Sequence, residues 1–241
     1  MDDSELMWEL EQFADNVAVV GESGETLSYG DLLTASERLA AQIPERCLVF
    51  SLCSNRAGSL IGYVAFLNNG VVPFLLDAQI DQALLFDLTE TYKPDYLWIP
   101  AEINERFKGY PSVYSDCNYR LIETGYRREY PLYPELALLL TTSGSTGSRK
   151  LVRQSYANVK ANMEAIAHYL ELDATERSIT TLPMNYTYGL SIVNSHLFAG
   201  ASLIMTEQSL MQKGFWQQLK SYGATSFGGV PYTYDMLHRL R

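Results

Sequence analysis

Apolar positions follow two spacings along this chain, and the alternation between them predicts its elements. Short continuous apolar runs such as Val71–Leu76 are typical of buried strands, whereas apolar residues three or four apart, as at Val159 and Met163, indicate helices. The predicted strands are Val17–Val20, Thr26–Ser28, Cys47–Leu52, Val71–Leu76, Tyr96–Ile99, Leu136–Leu140, Ser178–Leu182, Ser202–Met205 and Ala224–Phe227. The predicted helices are Ser4–Ala14, Ser28–Ile43, Arg56–Asn68, Ile80–Thr91, Ser155–Tyr169, Leu190–Phe198, Met211–Tyr222 and one that begins at Pro231.

Strands that alternate with helices predict parallel sheets covered by helices on both faces. We therefore predict an α/β fold with two βα lobes of mostly parallel sheet, at about residues 1–125 and 135–241. Residues 100–135 are less regular, and from Tyr110 onward they contain six tyrosines and three prolines. This composition favours a segment packed between the lobes, with an aromatic ligand platform as the alternative. The chain has no Gly-x-Gly-x-x-Gly, which excludes a Rossmann dinucleotide site.

The composition, 47% hydrophobic and 19% charged, is typical of a soluble globular protein. The net charge of −10 argues against a nucleic-acid partner. Residues 1–50 carry eleven acidic and two basic side chains, a net −9, so the remaining 191 residues carry −1. The acidic start lacks the basic region of a signal peptide, and no apolar run approaches the roughly 20 residues that span a bilayer. We expect a cytoplasmic protein without a membrane partner.

The cysteine content predicts neither a disulfide framework nor a zinc site. The three cysteines are odd in number and form no Cys-x-x-Cys pair. Cys47 and Cys53 flank an apolar strand and are predicted to be inert core thiols. The histidines His168, His196 and His238 show no ligand spacing, so we interpret them as structural or surface residues.

Residues 142–150, Thr-Ser-Gly-Ser-Thr-Gly-Ser-Arg-Lys, follow the apolar strand Leu136–Leu140. Glycines permit tight turns whose N–H groups converge on an anion, hydroxyls add donors, and Lys150 adds a charge suited to phosphate. The helix predicted from Ser155 would bring its N-terminus close to this segment. The pattern predicts a nucleotide phosphate site. It is not a Walker P-loop, because Arg149 precedes the lysine and Leu151 follows it.

This segment resembles the phosphate loop of the AMP-forming adenylating enzymes: acyl-CoA synthetases, aryl-acid ligases and peptide-synthetase adenylation domains. Their pattern is Thr-Ser-Gly-Ser/Thr-Thr-Gly-x-Pro-Lys, and only the Pro differs here, where the chain has Arg149. The resemblance implies catalytic roles for Thr146 and Lys150. Arg153 is either a further helper or a surface charge. The implied phosphate-binding residues are Thr142, Ser143, Gly144, Ser145, Thr146, Gly147 and Lys150.

Four further patches resemble the same family: Thr26–Leu32, Gly70–Asp77, Leu182–Ser191 and Gly228–Leu237. The resemblance implies that Tyr186 walls the carboxylate pocket, with a buried core tyrosine as the alternative. In our alignment Gly189 takes the place of the Asp that holds the substrate amino group in peptide-synthetase domains, which favours an acid without an α-amino group. Gly229 lies in a patch that borders the acyl pocket of the family.

The resemblance implies an AMP-dependent acid–thiol ligase. A carboxylic acid and ATP with Mg²⁺ give an acyl-adenylate, and the acyl group passes to CoA or to a carrier-protein phosphopantetheine. The family's adenine, ribose and Mg²⁺ patches, the last with a Glu, and its C-terminal lid with a catalytic Lys find no match here. We therefore expect an incomplete N-terminal adenylation domain that is inactive when isolated. The alternative is a non-catalytic nucleotide-binding or pseudoenzyme module that acts through partners.

Overall fold

The computed structural model describes residues 7–126, 128, 130–141 and 151–239, with strands and helices alternating through most of that length. The strands are β1 (Val17–Val20), β2 (Thr26–Ser28), β3 (Leu48–Cys53), β4 (Val72–Asp77), β5 (Tyr96–Pro100), β6 (Ser112–Asp116), β7 (Tyr119–Glu123), β8 (Leu136–Thr141), β9 (Leu151–Ser155), β10 (Arg177–Ile179) and β11 (Ser202–Ile204). The helices are α1 (Tyr29–Ala40), α2 (Ala57–Asn68), α3 (Gln82–Tyr92), α4 (Tyr156–Tyr169), α5 (Thr187–Ala199), α6 (Lys213–Ser221) and α7 (Pro231–Arg239). Short 3₁₀ helices cover Leu10–Phe13 and Ala101–Phe107.

Two sheets form the framework, and the predicted α/β class is confirmed. One sheet has seven strands in the order β6-β7-β5-β3-β4-β8-β9, and its centre from β5 to β8 is parallel. The other has the order β10-β11-β1-β2, parallel apart from the β1–β2 hairpin. All six residues of β3 are buried, as expected for a central strand covered on both faces.

The two sheets do not correspond to the two predicted lobes, because each sheet contains strands from both sides of the predicted boundary. β1, near the start of the chain, pairs with β11, with Val19 opposite Leu203. β8 and β9 belong to the seven-stranded sheet together with β3–β7, although they follow residue 135. The cause is long-range pairing, because local periodicity predicts that a strand exists and does not identify its neighbour.

Three local predictions were wrong. The segment predicted to connect the lobes contributes the antiparallel strands β6 and β7, and the Tyr119 ring is buried against the sheet. Within the described part of the Ser4–Ala14 stretch, the only helix is the 3₁₀ turn at Leu10–Phe13. The stretch Ala224–Phe227 makes one isolated bridge, Ser226 to Ser178, instead of a full strand.

The most consequential correction concerns β9, which the sequence prediction missed. β9 pairs antiparallel with β8, so that Thr141 lies opposite Leu151 and Leu136 lies opposite Ser155. Helix α4 therefore begins at the far end of β9, about 14 Å from Leu151 at ~3.4 Å per strand residue. Because residues 142–150 lie outside the described residues, the predicted proximity of this helix N-terminus to them stays a prediction.

Helix starts and buried thiols agree with the sequence. Ser28 and Ser155 each form a capping box, in which the serine oxygen accepts from the backbone N–H three residues later. Cys47 and Cys53 are buried, and burial raises the pKa of each thiol to about 12, which keeps them protonated at neutral pH. Among the described residues, no helix has the length and apolar character needed to cross a bilayer.

Candidate functional site

The residues predicted to bind phosphate connect two paired strand ends. All seven lie outside the described residues: Thr142, Ser143, Gly144, Ser145, Thr146, Gly147 and Lys150. The segment starts after Thr141 and ends before Leu151, which are cross-strand neighbours. Because β8 runs parallel to β4, with Leu139 beside Phe74, the segment starts at the edge where β4 ends in Asp77. The carboxyl edge of parallel strands is where open α/β sheets bind ligands.

Both sheets present polar groups at this edge. A cavity of about 380 Å³ is lined by residues at and after the ends of β3 and β4 in the seven-stranded sheet, and by residues that follow β10 and β11 in the four-stranded sheet. Its polar lining includes Ser54, Asn55, Asp77, Thr180, Thr181, Thr206, Glu207 and Thr233. The Asn55 amide donates to the Leu182 carbonyl at 3.2 Å, which ties the two edges together.

A larger cavity, about 670 Å³, lies between the β8–β9 pair and helices α4 and α5; we call it the front cavity. Its lining residues are Leu138, Leu140, Arg153, Gln154, Asn158, Val159, Asn162, Tyr186, Thr187, Tyr188, Leu190, Ser191 and Asn194. They include four amides and one guanidinium, and none of these described residues is an Asp or Glu. The front cavity is therefore suited to an anionic or hydrogen-bond-accepting ligand.

Internal hydrogen bonds orient two of these amides. The Asn158 Oδ1 accepts from the Ser155 hydroxyl at 2.9 Å in the α4 capping box. The Asn194 Oδ1 accepts from the Tyr63 hydroxyl at 2.9 Å, and both of these side chains are buried. With their oxygens occupied, both amides offer NH₂ groups to the front cavity, which strengthens its donor character.

Tyr186 lies on the wall of the front cavity. It is the N-cap residue of α5, and its ring is 44% exposed, so the alternative of a buried core tyrosine is wrong. Tyr188, the second residue of the helix, is 41% exposed and lines the same cavity. The sequence allowed two roles for Arg153, a further helper in phosphate binding or a surface charge. This residue of β9 also lines the front cavity. A role for Tyr186 in substrate binding stays a prediction.

Gly189 and Gly229 do not line the front cavity. A Cβ at Gly189 would lie 2.3 Å from the carbonyl oxygen of Pro183, so this glycine allows α5 to approach the preceding turn. Any side chain at position 189 would clash with backbone atoms. The absence of an Asp at this position therefore does not show whether the substrate carries an amino group. Gly229 faces Thr233 at the start of α7, where a Cβ would be 3.1 Å from the methyl group.

A second cavity of about 750 Å³, the rear cavity, lies behind α5. Its lining residues are Ala165, Ile166, Tyr169, Leu170, Leu172, Glu176, Ser178, Tyr188, Ser191, Ile192, Ser195, His196, Thr225, Ser226, Phe227 and Gly228. Gly228, the neighbour of the predicted Gly229, belongs to it. Sequence reasoning missed Ser191, Asn194 and His196 because α5 is apolar on most sides, and its composition does not show which polar residues face a cavity.

Within the described residues, no three His, Cys, Asp or Glu side chains are grouped so that they could hold a metal ion.

Comparison with known families and proteins adds an independent line of evidence. The family model described as "AMP-binding enzyme" matches residues 6–241. The chain is 32% identical over 119 residues to the acyl-CoA synthetase ALT10 of Alternaria alternata, covering 48% of this chain and 20% of that protein. It is 23% identical over 212 residues to the 2-succinylbenzoate–CoA ligase of Bacillus subtilis, covering 84% of this chain and 43% of that protein.

Solved structures share the fold. The o-succinylbenzoate CoA synthetase MenE of Bacillus subtilis, bound to a product analogue, superposes with a TM-score of 0.73 at 22% identity, covering 98% of this chain and 51% of that one. MatB of Rhodopseudomonas palustris gives a TM-score of 0.76 at 20% identity, covering 97% and 51%. The chain thus spans about half the length of these two proteins.

We predict that Gly189→Ala destabilises the fold, because the new methyl group would press on the Pro183 carbonyl in a closely packed turn. The expected loss is about 1–3 kcal/mol in the free energy of unfolding, measured by urea denaturation. The matched control is Gly214→Ala in α6, where a Cβ meets only the flexible end of the Gln208 side chain at 3.0 Å. Equal effects of the two substitutions would contradict the packing role.

Proposed function

Because the chain belongs to the AMP-binding enzyme family, we propose that it takes part in ATP-dependent activation of a carboxylic acid. In this reaction a carboxylate oxygen attacks the α-phosphorus of ATP, forming an acyl-adenylate and releasing pyrophosphate. A thiol sulfur then attacks the acyl carbon, forming a thioester and releasing AMP. The names of the relatives, which are CoA ligases, support CoA as the thiol. A carrier-protein phosphopantetheine is the other candidate acceptor.

The observation that carries the proposal is the front cavity, whose described lining residues supply hydrogen-bond donors and include no carboxylate, beside the two strands that flank residues 142–150. Leu138 and Leu140 come from β8 and Arg153 comes from β9, so both flanks contribute to its wall. An acid bound there lies next to the segment whose pattern predicts phosphate binding. Such proximity is the main requirement of adenylation, which is catalysed mostly by positioning and charge stabilisation.

The residues divide between two tasks in this proposal. Thr146 and Lys150 hold the phosphates of ATP, the hydroxyl as a donor and the ammonium as a counter-charge. Asn158, Asn194 and Arg153 hold and orient the acid through N–H donors, while the Tyr186 ring covers it. ATP supplies the adenylyl group and brings Mg²⁺ with its phosphates when bound.

We predict that Thr146→Ala and Lys150→Ala each lower ATP–pyrophosphate exchange by about 10²–10³-fold, the usual effect of removing one well-placed stabilising group. The matched control is Ser148→Ala, because residue 148 is the variable position of the family pattern. Exchange is measured in whichever form of the protein, residues 1–241 or a longer product of the gene, shows activity without substitution, with circular dichroism as the test of folding. Unchanged exchange in both variants would refute the phosphate assignment.

Assays of residues 1–241 and of a longer product distinguish the proposed enzyme from its alternative, a nucleotide-binding module that acts through partners. We propose that residues 1–241 alone give no measurable exchange, because the resemblance assigns the adenine, ribose and Mg²⁺ contacts and the lid lysine to patches not matched here. Exchange by a longer product would support the enzyme, and binding of ATP without exchange in either form would support the module. Full turnover by residues 1–241 would refute the proposed inactivity.

We predict that 3-phenylpropanoic acid supports exchange at least about tenfold better than phenylalanine, its α-amino analogue. The physical reason is that an ammonium group in the front cavity would meet Arg153 and N–H donors, and no carboxylate among the described lining residues would balance its charge. The measurement compares kcat/KM for the two acids in whichever form of the protein is active. A preference for the amino acid would show that this interpretation of the cavity is wrong.

A further inference from the structure

The floor of the front cavity is apolar apart from one amide. The buried residues among its described lining are Leu138, Leu140, Val159, Leu190 and Asn194. Asn194 is the polar member of this set and is only 4% exposed. A few placed polar groups among apolar walls fix the orientation of a ligand and give a site its specificity. The direction of the Asn194 amide therefore decides which ligand atom the floor can bind.

Tyr63 of α2 determines which end of the Asn194 amide faces the cavity. The Tyr63 side chain is fully buried, and its hydroxyl donates to the Asn194 Oδ1 at 2.9 Å. Burial raises the pKa of this hydroxyl above its usual value, so it keeps its hydrogen at neutral pH. Within the described part of the chain, Asn194 is its one hydrogen-bond partner. An inverted amide would thus leave a buried donor without an acceptor, which is unfavourable.

The NH₂ group of Asn194 is left for a ligand. Its Nδ2 forms no hydrogen bond with the described residues, and it is not one of the described polar atoms that are sealed from solvent without a partner. Nδ2 therefore has accessible surface. Asn194 lines the front cavity and is not part of the rear cavity, so this surface belongs to the front cavity. An amide nitrogen only donates, so the floor selects a hydrogen-bond acceptor.

The direction of α5 places this donor away from the reacting carboxylate. β10 and β11 are parallel, so α5, which connects them, begins at their carboxyl edge and runs back along the sheet. Asn194 lies eight residues after Tyr186, about 12 Å deeper at ~1.5 Å per helical residue. The contact of Asn55 with Leu182 joins this edge to the one where residues 142–150 begin. A carboxylate that attacks ATP thus lies near the start of α5, and Asn194 meets the other end of the acid.

The surroundings of Asn194 favour an uncharged acceptor. A second carboxylate at the floor would be removed from water among Leu138, Val159 and Leu190, with one neutral amide as its donor. Burying a charge in this way is far more unfavourable than burying a ketone, ester or ether oxygen that accepts one hydrogen bond. The floor therefore fits a neutral oxygen.

We propose that the front cavity selects carboxylic acids with an uncharged hydrogen-bond acceptor at the end remote from the carboxylate. Asn194 Nδ2 donates to this acceptor, and Tyr63 is the positioning residue that holds the amide in that orientation. The inference rests on the proposed function and names its substrate class. Asn194 determines specificity, and neither side chain takes part in the chemical step.

The test compares 3-(4-acetylphenyl)propanoic acid with 3-(4-isopropenylphenyl)propanoic acid, which have the same shape and differ in a terminal oxygen or CH₂ group. Dissociation constants are measured by calorimetry on the full 241-residue chain. The ketone should bind about fivefold more tightly, as expected for one net hydrogen bond. In ¹H–¹⁵N spectra of the side-chain amides, the Asn194 NH₂ signal should move to higher ¹H shift with the ketone than with the alkene.

Tyr63→Phe should abolish the fivefold preference, because either end of the amide can face the ring once the hydroxyl is gone. The matched control is Tyr29→Phe, which removes another fully buried hydroxyl, one that donates to the Ala201 carbonyl at 2.7 Å away from both cavities. This control should keep the preference. In an Asn194→Leu background, which also lacks the preference, Tyr63→Phe should have no further effect on it.

Equal affinity of the unsubstituted chain for the two acids, no detectable binding of either, or a preference that survives in Tyr63→Phe would overturn the proposal. If Tyr63→Phe does not fold, the spectra of the unsubstituted chain decide the matter, and an Asn194 signal that responds alike to both acids would overturn it. A preference in binding without pyrophosphate exchange by any form of the protein would refute the proposed function alone. Exchange without a preference would refute this inference alone.

Discussion

The pairing of β8 with β4 on one side and β9 on the other determines where both candidate ligands lie. The parallel contact with β4 directs Thr141 toward the carboxyl edge of the sheet, and the antiparallel return makes Leu151 its neighbour. Residues 142–150 must therefore start and end at one point of that edge. The same return carries the chain to Ser155, where a capping box starts α4 and orients Asn158 on the cavity wall. One strand pair thus connects the phosphate pattern to the front cavity.

Helix α5 supplies the opposite wall, and two contacts fix its position. Its first turn approaches the backbone at Pro183 so closely that only Gly189 fits, and farther along Asn194 accepts from Tyr63 of α2. Since α2 is almost wholly buried, the Tyr63 contact links the cavity wall to the core of the molecule. The polar groups of the front cavity are therefore held by packed elements, which preorganised recognition of a charged group requires.

Local features of this fold could be predicted from the sequence, whereas those that depend on distant partners could not. The capping serines Ser28 and Ser155 and the buried run of β4 follow from short-range rules. β9 was missed because Leu-Val-Arg-Gln-Ser is short and precedes a helix cap, so only its partner β8 identifies it as a strand. The pairing of Val19 with Leu203 joins residues far apart in the chain, and no local period encodes it.

The candidate site shows the same division. The pattern over 142–150 predicts a phosphate segment in residues that lie outside the described part of the chain, and the structure places Tyr186 on a cavity wall. The absent side chain at Gly189 has two explanations, and only coordinates show that a backbone carbonyl occupies the space. Asn194 was missed, since the Tyr63 contact that orients its amide is a property of the packed structure.

The central claim, that an acid in the front cavity meets the nucleotide at residues 142–150, is tested most directly by hydrogen–deuterium exchange. The ligand is the sulfamoyl-adenosine derivative of 3-phenylpropanoic acid, a stable mimic of an acyl-adenylate. The account predicts slower exchange on binding in peptides that cover 142–150, the start of α4 and the start of α5, with little change in β6 and β7. Binding accompanied by protection only outside these three segments would contradict it.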